Sequence, residues 1–441
     1  MANKIVPILE ALLTSNITRQ GIQNLFNQSQ ETHLELTSKV LISGILCFLS
    51  ASISSAGGIG GGGLFIPILS IVAGLDLKTA SSFSAFMVTG GSIACVLYSM
   101  FITSPKHSHK VLIDYDIALL SEPCMLLGVS VGVICNVAFP EWLITIMFAV
   151  FLAWCTFKTC KSGVFYWKSE SEEALRNEFE KLENGVVRNG NFGGDVIEGD
   201  EGIKKPLLGE EKGCELGFPW MKFGLLVIIW FSFFLIYLLR GNRDRKTIIP
   251  MEPCGLGHWI LSSFQIPLAI IFTVWILRHK HTNPDESKQT GAQAKAGWQS
   301  NNSLFPGMAF LAGMLGGVFG IGGGMLISPF LLQVGIPPEV TAATCSFMVF
   351  FSSTMSAFQY LLLGMAHIEA ALIFSFICFI GSLIGLMVVQ RAIEKYGRAS
   401  LIVFSVSTVM ALSTVLLTSF GAMGVWEDYA AGRYMGFKLP C

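Results

Sequence analysis

The chain has 441 residues, of which 52% are hydrophobic and 13% are charged, and its formal net charge is −1. Soluble domains carry about 25% charged residues, so this composition excludes an ordinary soluble protein and predicts a polytopic membrane protein. No basic tract is long enough to indicate a nucleic-acid partner. The 11 cysteines show neither a CxxC pair nor a metal-ligand spacing, so we expect no metal and no cofactor.

The N-terminal segment, residues 1–38, is not predicted to cross the membrane. Its apolar run from Ile5 to Leu13 is too short and too interrupted for a span, which needs about 20 residues. Two glycosylation sequons, at Asn16 and Asn27, favour a lumenal or extracellular N-terminus.

Hydrophobic segments predict an all-helical architecture with two transmembrane repeats. The segments predicted to cross the membrane are residues 79–103, 117–139, 143–157, 218–239, 259–277, 341–365, 370–389 and 400–420. The predicted organisation is a first repeat at 39–157, a charged and partly disordered linker at 158–218, two connecting transmembrane helices at 219–278, a polar linker at 279–304, a second repeat at 305–420 and a short tail at 421–441. The sequence thus indicates an integral multi-pass protein, either of the plasma membrane or of an endomembrane.

Two glycine-rich stretches interrupt apolar sequence at matching places in the two halves. Residues 56–67 read AGGIGGGGLFIP, residues 318–329 read VFGIGGGMLISP, and the two align without a gap. Glycine costs about 1 kcal/mol per residue against alanine within a helix. Each stretch is therefore predicted to break a helix inside the membrane, either as a re-entrant hairpin or as two short steep helices. Paired breaks of this kind indicate the binding site of a transporter.

The spans between the two breaks bear on how the repeats are related. Five predicted spans separate the first broken pair from the second. If each pair returns to its starting face, the repeats are inverted; if each break is a single crossing helix, the repeats are parallel. We favour the inverted arrangement. Most basic loop residues fall on the side of the 158–218 linker, which favours a cytoplasmic linker.

The glycine stretches also predict an anion site. Consecutive glycines let backbone N–H groups converge, and the half-helix that follows presents the positive end of its dipole. Hydroxyl groups on the flanking segments would add donors for an oxyanion. The predicted substrate-binding residues are Ser54, Ser55, Gly58, Gly60, Gly61, Gly62, Thr79, Ser81, Ser82, Ser84, Gly320, Gly322, Gly323, Gly324, Thr341, Thr344 and Ser346. The alternative is that these residues only permit close helix packing.

Glu122 is the most central ionisable residue in the predicted spans. An acidic group inside a membrane is a functional candidate, and proton coupling is the role that its chemistry suggests. The alternative is a hydrogen-bonded structural carboxyl in the bundle interior.

The doubled motif carries a family resemblance. Gly-Ile-Gly-Gly-Gly, followed by Pro67 or Pro329 and then by an Ala/Thr/Ser-rich helix, resembles the sulfite exporter TauE/SafE family, of the 4-toluene sulfonate uptake permease type. DYDIALL at 114–120, LLGVSVG at 126–132, Asn136, PEWLIT at 140–145 and the long charged linker are similar to the plant members. The resemblance covers roughly residues 39–420.

This resemblance implies a secondary carrier, not an enzyme, that moves small anions such as sulfite or organosulfonates by alternating access. The expected partners are a small anion and the lipid bilayer, and the position of Glu122 adds protons; the composition leaves no nucleic acid among the expected partners. The competing interpretations are a membrane receptor or scaffold that kept the carrier fold, and an anion channel.

Overall fold

The computed structural model describes residues 38–58, 61–101, 113–189, 220–240, 256–282, 304–365, 367–396, 400–430 and 436. Within them the chain is helical, without a strand. The elements in chain order are α1 (Ser38–Ser54), a 3₁₀ turn (Ser55–Gly57), α2 (Gly62–Ile71), α3 (Leu77–Phe101), α4 (Tyr115–Ala138), α5 (Glu141–Asn189), α6 (Trp220–Arg240), α7 (Leu256–Ser263), α8 (Gln265–Thr282), α9 (Leu304–Phe319), α10 (Gly324–Val334), α11 (Pro338–Leu362), α12 (Ile368–Tyr396) and α13 (Ser400–Ala430). Asn16 and Asn27 lie outside the described residues.

Eight helical segments in the described part of the chain are long and apolar enough to cross a membrane. They lie in α3, α4, α5, α6, the consecutive pair α7 and α8, α11, α12 and α13. The predicted all-helical, multi-pass class is therefore confirmed. Helices α3, α4 and α11 are mostly buried, whereas α6, α8 and α12 expose apolar side chains on the outside of the bundle. An apolar outer surface of this kind suits a helix that faces lipid.

Helix α5 continues far beyond the transmembrane span predicted at 143–157. It runs for 49 residues, and at about 1.5 Å per residue it extends well beyond the thickness of a bilayer. The first repeat was predicted to end at residue 157, with a linker at 158–218, but this boundary falls inside the helix. The reason is that the charged sequence after 157 is rich in Glu and Lys, which favour helix, and contains no proline before residue 189.

Glycines allow α4 to pack tightly along α9. A Cβ at Gly128 would overlap the carbonyl oxygen of Phe310, and a Cβ at Gly132 would overlap that of Met314. In both helices the paired residues are four positions apart, so the contact follows a single stripe of each helix. Small residues in such a stripe let two membrane helices approach backbone to backbone.

The same contact recurs between α12 and α1. A Cβ at Gly381 would lie 2.8 Å from the carbonyl oxygen of Phe48, and a Cβ at Gly385 would overlap that of Ser52. The Ser52 hydroxyl also donates to the Gly381 carbonyl at 2.9 Å. In the first half, the glycine stripe of α4 packs against α9, which precedes the second break. In the second half, the glycine stripe of α12 packs against α1, which precedes the first break.

Hydrogen bonds at the two ends of α4 fix how the halves meet. At its start, the Asp114 backbone N–H donates to the Thr344 hydroxyl of α11 at 2.9 Å. Near its end, the Asn136 amide donates to the Ser81 hydroxyl of α3 at 3.0 Å, and Lys78 Nζ donates to the Val137 carbonyl at 2.7 Å. Helix α4 has 24 residues and is therefore roughly 36 Å long. The first turns of α3 and α11 consequently lie at opposite ends of α4.

The second broken pair folds back on itself. The rings of Phe305, at the start of α9, and Phe330, in the middle of α10, are 4.9 Å apart. Gly316 and Gly323 also approach so closely that a Cβ at Gly316 would overlap the Gly323 nitrogen. Helix α10 therefore runs back along α9, as expected for a re-entrant hairpin.

Candidate substrate site at the paired helix breaks

Both glycine stretches break their helices through left-handed backbone conformations. In the first, α1 and its 3₁₀ turn end at Gly58, with φ 70°, and α2 follows Gly61, with φ 83°. In the second, Gly320, Gly322 and Gly323 have φ between 61° and 71°. Side chains disfavour this region by roughly 1–2 kcal/mol per residue, so only glycine adopts it readily at several positions in a row. Gly60 lies outside the described residues.

Each break packs against the Ser/Thr-rich helix of the other half as well as against its own. A Cβ at Gly58 would overlap the Ala342 carbonyl of α11. A Cβ at Gly320 would overlap the Ser81 carbonyl of α3 and lie 3.3 Å from the Ala85 nitrogen. The sequence places each Ser/Thr-rich helix directly after its own break, and the fold adds a backbone contact with the helix of the other half.

The breaks also touch each other at the centre of the bundle. A Cβ at Gly62 would lie 2.8 Å from the Ile321 Cα, and one at Gly324 would lie 3.3 Å from the Gly58 carbonyl oxygen. A Cβ at Gly322 would lie 3.0 Å from Val349 of α11 and 3.2 Å from Val88 of α3. Both valines are near the middle of helices of 25 residues. The glycine turns therefore meet at mid-depth, between α3 and α11.

The half-helices α2 and α10 begin at this meeting point without side-chain caps. Their N-cap residues are Gly61 and Gly323, and neither cap makes a side-chain hydrogen bond. The first N–H groups of any helix lack acceptors within the helix. Two positive dipole ends thus lie close together in a buried region.

The hydroxyl groups predicted to bind substrate mostly donate to backbone carbonyls of their own helices. Such bonds reach the carbonyl three to five residues back, and they are Ser54 to Ser50 at 2.6 Å, Ser55 to Ser52 at 3.1 Å, Ser81 to Lys78 at 2.8 Å, Ser82 to Thr79 at 2.8 Å, Thr341 to Ile336 at 3.3 Å and Ser346 to Ala342 at 2.9 Å. Thr344 accepts the bond from Asp114, and Ser84 is buried with no partner for its hydroxyl in the described structure. Most of these hydroxyls are therefore engaged with protein groups, whereas the half-helices at the breaks begin without a side-chain cap.

Three polar side chains that the hydroxyl pattern did not select hold the second break in place. The Asn136 amide donates to the Val318 carbonyl at 2.6 Å, and the Tyr360 hydroxyl donates to the Gly317 carbonyl at 2.7 Å. The Ser352 hydroxyl donates to the Gly322 carbonyl at 3.1 Å. These bonds satisfy carbonyl groups that a broken helix leaves without partners. The available sequence signal was a polar side chain within an apolar span.

Glu122 lies in the first half of α4 and is fully buried, with an exposed fraction of 0%. Neither carboxyl oxygen has a hydrogen-bond partner in the part of the chain that the structure describes. Among the residues whose burial is described, it is the one buried acidic or basic side chain.

These features define a multi-pass helical membrane protein in which two broken helices meet at the centre of the bundle. The sequence model of the family described as "Sulfite exporter TauE/SafE" matches residues 5–159 and 222–416. The chain therefore belongs to the sulfite exporter TauE/SafE family, and the resemblance drawn from the glycine motifs is confirmed. The match begins well before residue 39, where the resemblance was expected to start.

Named relatives agree with this assignment. Sulfite exporter TauE/SafE family protein 2 of Arabidopsis thaliana is 57% identical over 445 residues, covering 99% of this chain and 94% of the relative. Sulfite exporter TauE/SafE family protein 5 of the same plant is 59% identical, covering 94% and 90%. A shorter match of 58 residues, 41% identical, links 13% of this chain to 21% of the probable membrane transporter protein YunE of Bacillus subtilis. No solved structure gives a significant match to the chain. The chain is an integral, multi-pass membrane protein of a transporter family.

Proposed function

We propose that the chain is a secondary transporter that binds a small oxyanion, sulfite or an organosulfonate, where the two glycine breaks meet. The observation that carries this proposal is the convergence of two uncapped helix N-termini at mid-depth, made by Gly61 and Gly323. Each N-terminus contributes roughly half a positive elementary charge, which together suit a single negative charge.

The placement of the basic side chains supports a backbone-held anion. Among the residues whose burial the structure describes, no lysine, arginine or histidine is buried. An anion at this depth would therefore be neutralised by N–H groups and helix dipoles, as in transporters whose discontinuous helices point their N-termini at the substrate. The relatives are named as sulfite exporters and as a probable membrane transporter, which agrees with a carrier.

The contacts of α4 support inverted repeats. Ser81 and Thr344 occupy related positions in the Ser/Thr-rich helices of the two halves, yet they bond to opposite ends of α4. Helices α3 and α11 therefore start from opposite faces of the bundle, which an inverted repeat requires. Alternating access follows if one half rocks against the other about the touching glycine turns.

A flux experiment tests this function. The purified full-length chain would be placed in liposomes, and entry of labelled sulfite and of labelled methanesulfonate would be measured beside empty liposomes. We expect saturable entry that unlabelled anion on the opposite side accelerates. Flux linear in concentration and without such counterflow would indicate a channel, and no flux of either anion would contradict transport and leave a receptor or scaffold.

A further inference from the structure

We propose that Glu122 binds the proton that is coupled to anion transport, and that its carboxylate competes with the anion for the N-terminus of α10. The proposal rests on the proposed transport function and adds to it the coupling ion and the residue that carries it. Three observations support it: the position of Glu122 on α4, its height in the bundle and the charges around it.

The helical period of α4 directs Glu122 toward the second break. Met125 lies three residues later, on the same face of the helix. Its sulfur lies 3.3 Å from the position of a Cβ at Gly323, the N-cap of α10. Val129, a further turn along this face, contacts Gly317 of α9, and Ser130 beside it accepts a hydrogen bond from Gln359 of α11 at 2.9 Å. The Glu122 face of α4 therefore points between α9 and α11, where α10 begins.

The register between α4 and α11 also places Glu122 at the height of the second break. Asp114 bonds to Thr344 near the start of both helices, and Ser130 bonds to Gln359 further along both. The two helices thus run in parallel and advance together, which places Glu122 level with the turn of α11 that contains Ser352. The Ser352 hydroxyl donates to the Gly322 carbonyl. Two independent sets of contacts therefore place Glu122 at the height of the second break.

Charge balance makes the carboxylate and the anion mutually exclusive. A buried carboxylate without a partner is costly, and the nearby helix dipole offers it roughly half a positive charge. A bound anion needs the same dipole, and two negative charges at this depth would repel each other. The anion therefore binds when Glu122 is protonated, so one proton accompanies each monovalent anion and the pair moves without net charge.

The other titratable groups on α4 and on the helices packed against it are bonded elsewhere or lie away from the second break, so Glu122 is the group proposed to bind the coupled proton. Helix α9 carries none. Those of α4 and of the other helices packed against it are Tyr115, Asp116, Cys124 and Cys135 on α4, Glu339, Cys345 and Tyr360 on α11, Lys222, Tyr237 and Arg240 on α6, Arg278, His279, Lys280 and His281 on α8, and Lys78, Cys95 and Tyr98 on α3. Lys78 lies in the first turn of α3 and donates to the Val137 carbonyl near the end of α4. Lys222 is bound to Asp116 at 2.9 Å, Cys124 contacts Thr273 at 3.5 Å, and the Tyr360 hydroxyl donates to Gly317. The remaining bases of α6 and α8 lie at or near the ends of those helices, away from mid-depth.

Proton-driven accumulation of methanesulfonate tests the proposal. The charge of this anion does not change near neutral pH, so a response to pH comes from the protein. With the outside of the liposomes about one pH unit more acidic, a one-to-one electroneutral symporter accumulates the anion up to about tenfold at equilibrium. We expect this accumulation in the wild-type chain and in the control D116N, whose carboxylate is half exposed and paired with Lys222. In E122Q we expect no accumulation and a counterflow rate that no longer depends on pH.

The outcomes separate this proposal from the proposed function. Counterflow without pH-driven accumulation in the wild-type chain would overturn proton coupling while leaving transport in place. Accumulation in E122Q equal to that of the wild-type chain would overturn the role of Glu122. Accumulation that follows an imposed membrane potential would overturn the electroneutral stoichiometry.

A measurement of proton uptake on the wild-type protein tests the proposal without the E122Q variant, so whether that variant folds is of no consequence. Methanesulfonate would be added to weakly buffered wild-type protein in detergent, and proton uptake would be followed with a pH indicator. At a pH where Glu122 is ionised in the free protein, we expect close to one proton taken up for each anion bound. Anion binding without proton uptake at every pH tested, alkaline pH included, would overturn the competition.

Discussion

Asn136 ties the end of α4 to the broken end of α9: its side-chain amide donates to the Val318 carbonyl at 2.6 Å. The same amide group donates to the Ser81 hydroxyl at 3.0 Å. One buried side chain thereby connects α4, α3 and the second break. Its polar partners have no access to water, so the position of the break depends on this amide.

Replacing Asn136 with leucine should destabilise the protein and reduce transport. The change leaves the buried Val318 carbonyl without its donor, which costs about 1–3 kcal/mol. Thermal unfolding in detergent would measure the loss, and methanesulfonate counterflow would measure the effect on the site. Ser232→Ala is the matched control, because Ser232 is exposed and bonds only to Ile228 of its own helix. Equal stability of the two variants would show that the amide does not hold the break.

The reciprocal glycine stripes predict a matched pair of stability losses. Gly132→Ala should push α4 away from the Met314 carbonyl, and Gly385→Ala should push α12 away from the Ser52 carbonyl. Overpacking of this kind typically costs about 1–3 kcal/mol. Gly224→Ala is the control, since no atom lies within 4 Å of its added Cβ, and it should gain up to about 1 kcal/mol from helix propensity. If only one of the two stripe variants were destabilised, the two contacts would not be equivalent.

Helix α13 has a cap that can be removed without touching the site. The Glu170 carboxylate accepts bonds from the Ser400 backbone N–H at 2.9 Å and from the Ser400 hydroxyl at 2.5 Å. Loss of such a cap usually costs about 0.5–2 kcal/mol. Glu170→Ala should therefore lower the unfolding temperature while the affinity for the transported anion stays unchanged. A changed Michaelis constant for methanesulfonate would show that the cap reaches the transport cycle.

The local features of the fold could be predicted from the sequence, and its long-range pairings could not. Hydropathy identified the eight spans, and the glycine propensity identified both breaks, since each depends on residues that are neighbours in the chain. Contacts such as Gly58 with Ala342 join residues far apart, and no local pattern shows that each break crosses to the other half. The sequence also could not show how the predicted hydroxyl donors are engaged, since a serine such as Ser346 can bond to the carbonyl one turn back in its own helix.

The close approach of Gly322 to its neighbours gives the sharpest test of the site. Gly322→Ala places a methyl group in a backbone with φ 71°, within 3.0–3.2 Å of Val349, Ser353 and Val88. Gly335→Ala is the matched control, because Gly335 has φ 91° and open space around an added Cβ. Both variants carry backbone strain of roughly 1–2 kcal/mol, but only the first displaces the turn where the breaks meet.

We therefore expect Gly322→Ala, and more strongly Gly322→Val, to abolish methanesulfonate counterflow while membrane insertion is retained. Gly335→Ala should transport at close to the wild-type rate despite a lower unfolding temperature. Elution of each variant as a single species in detergent would establish insertion and folding before flux is compared. Normal transport by Gly322→Val would mean that the backbone at the second break does not approach the anion. The substrate would then have to bind elsewhere in the bundle.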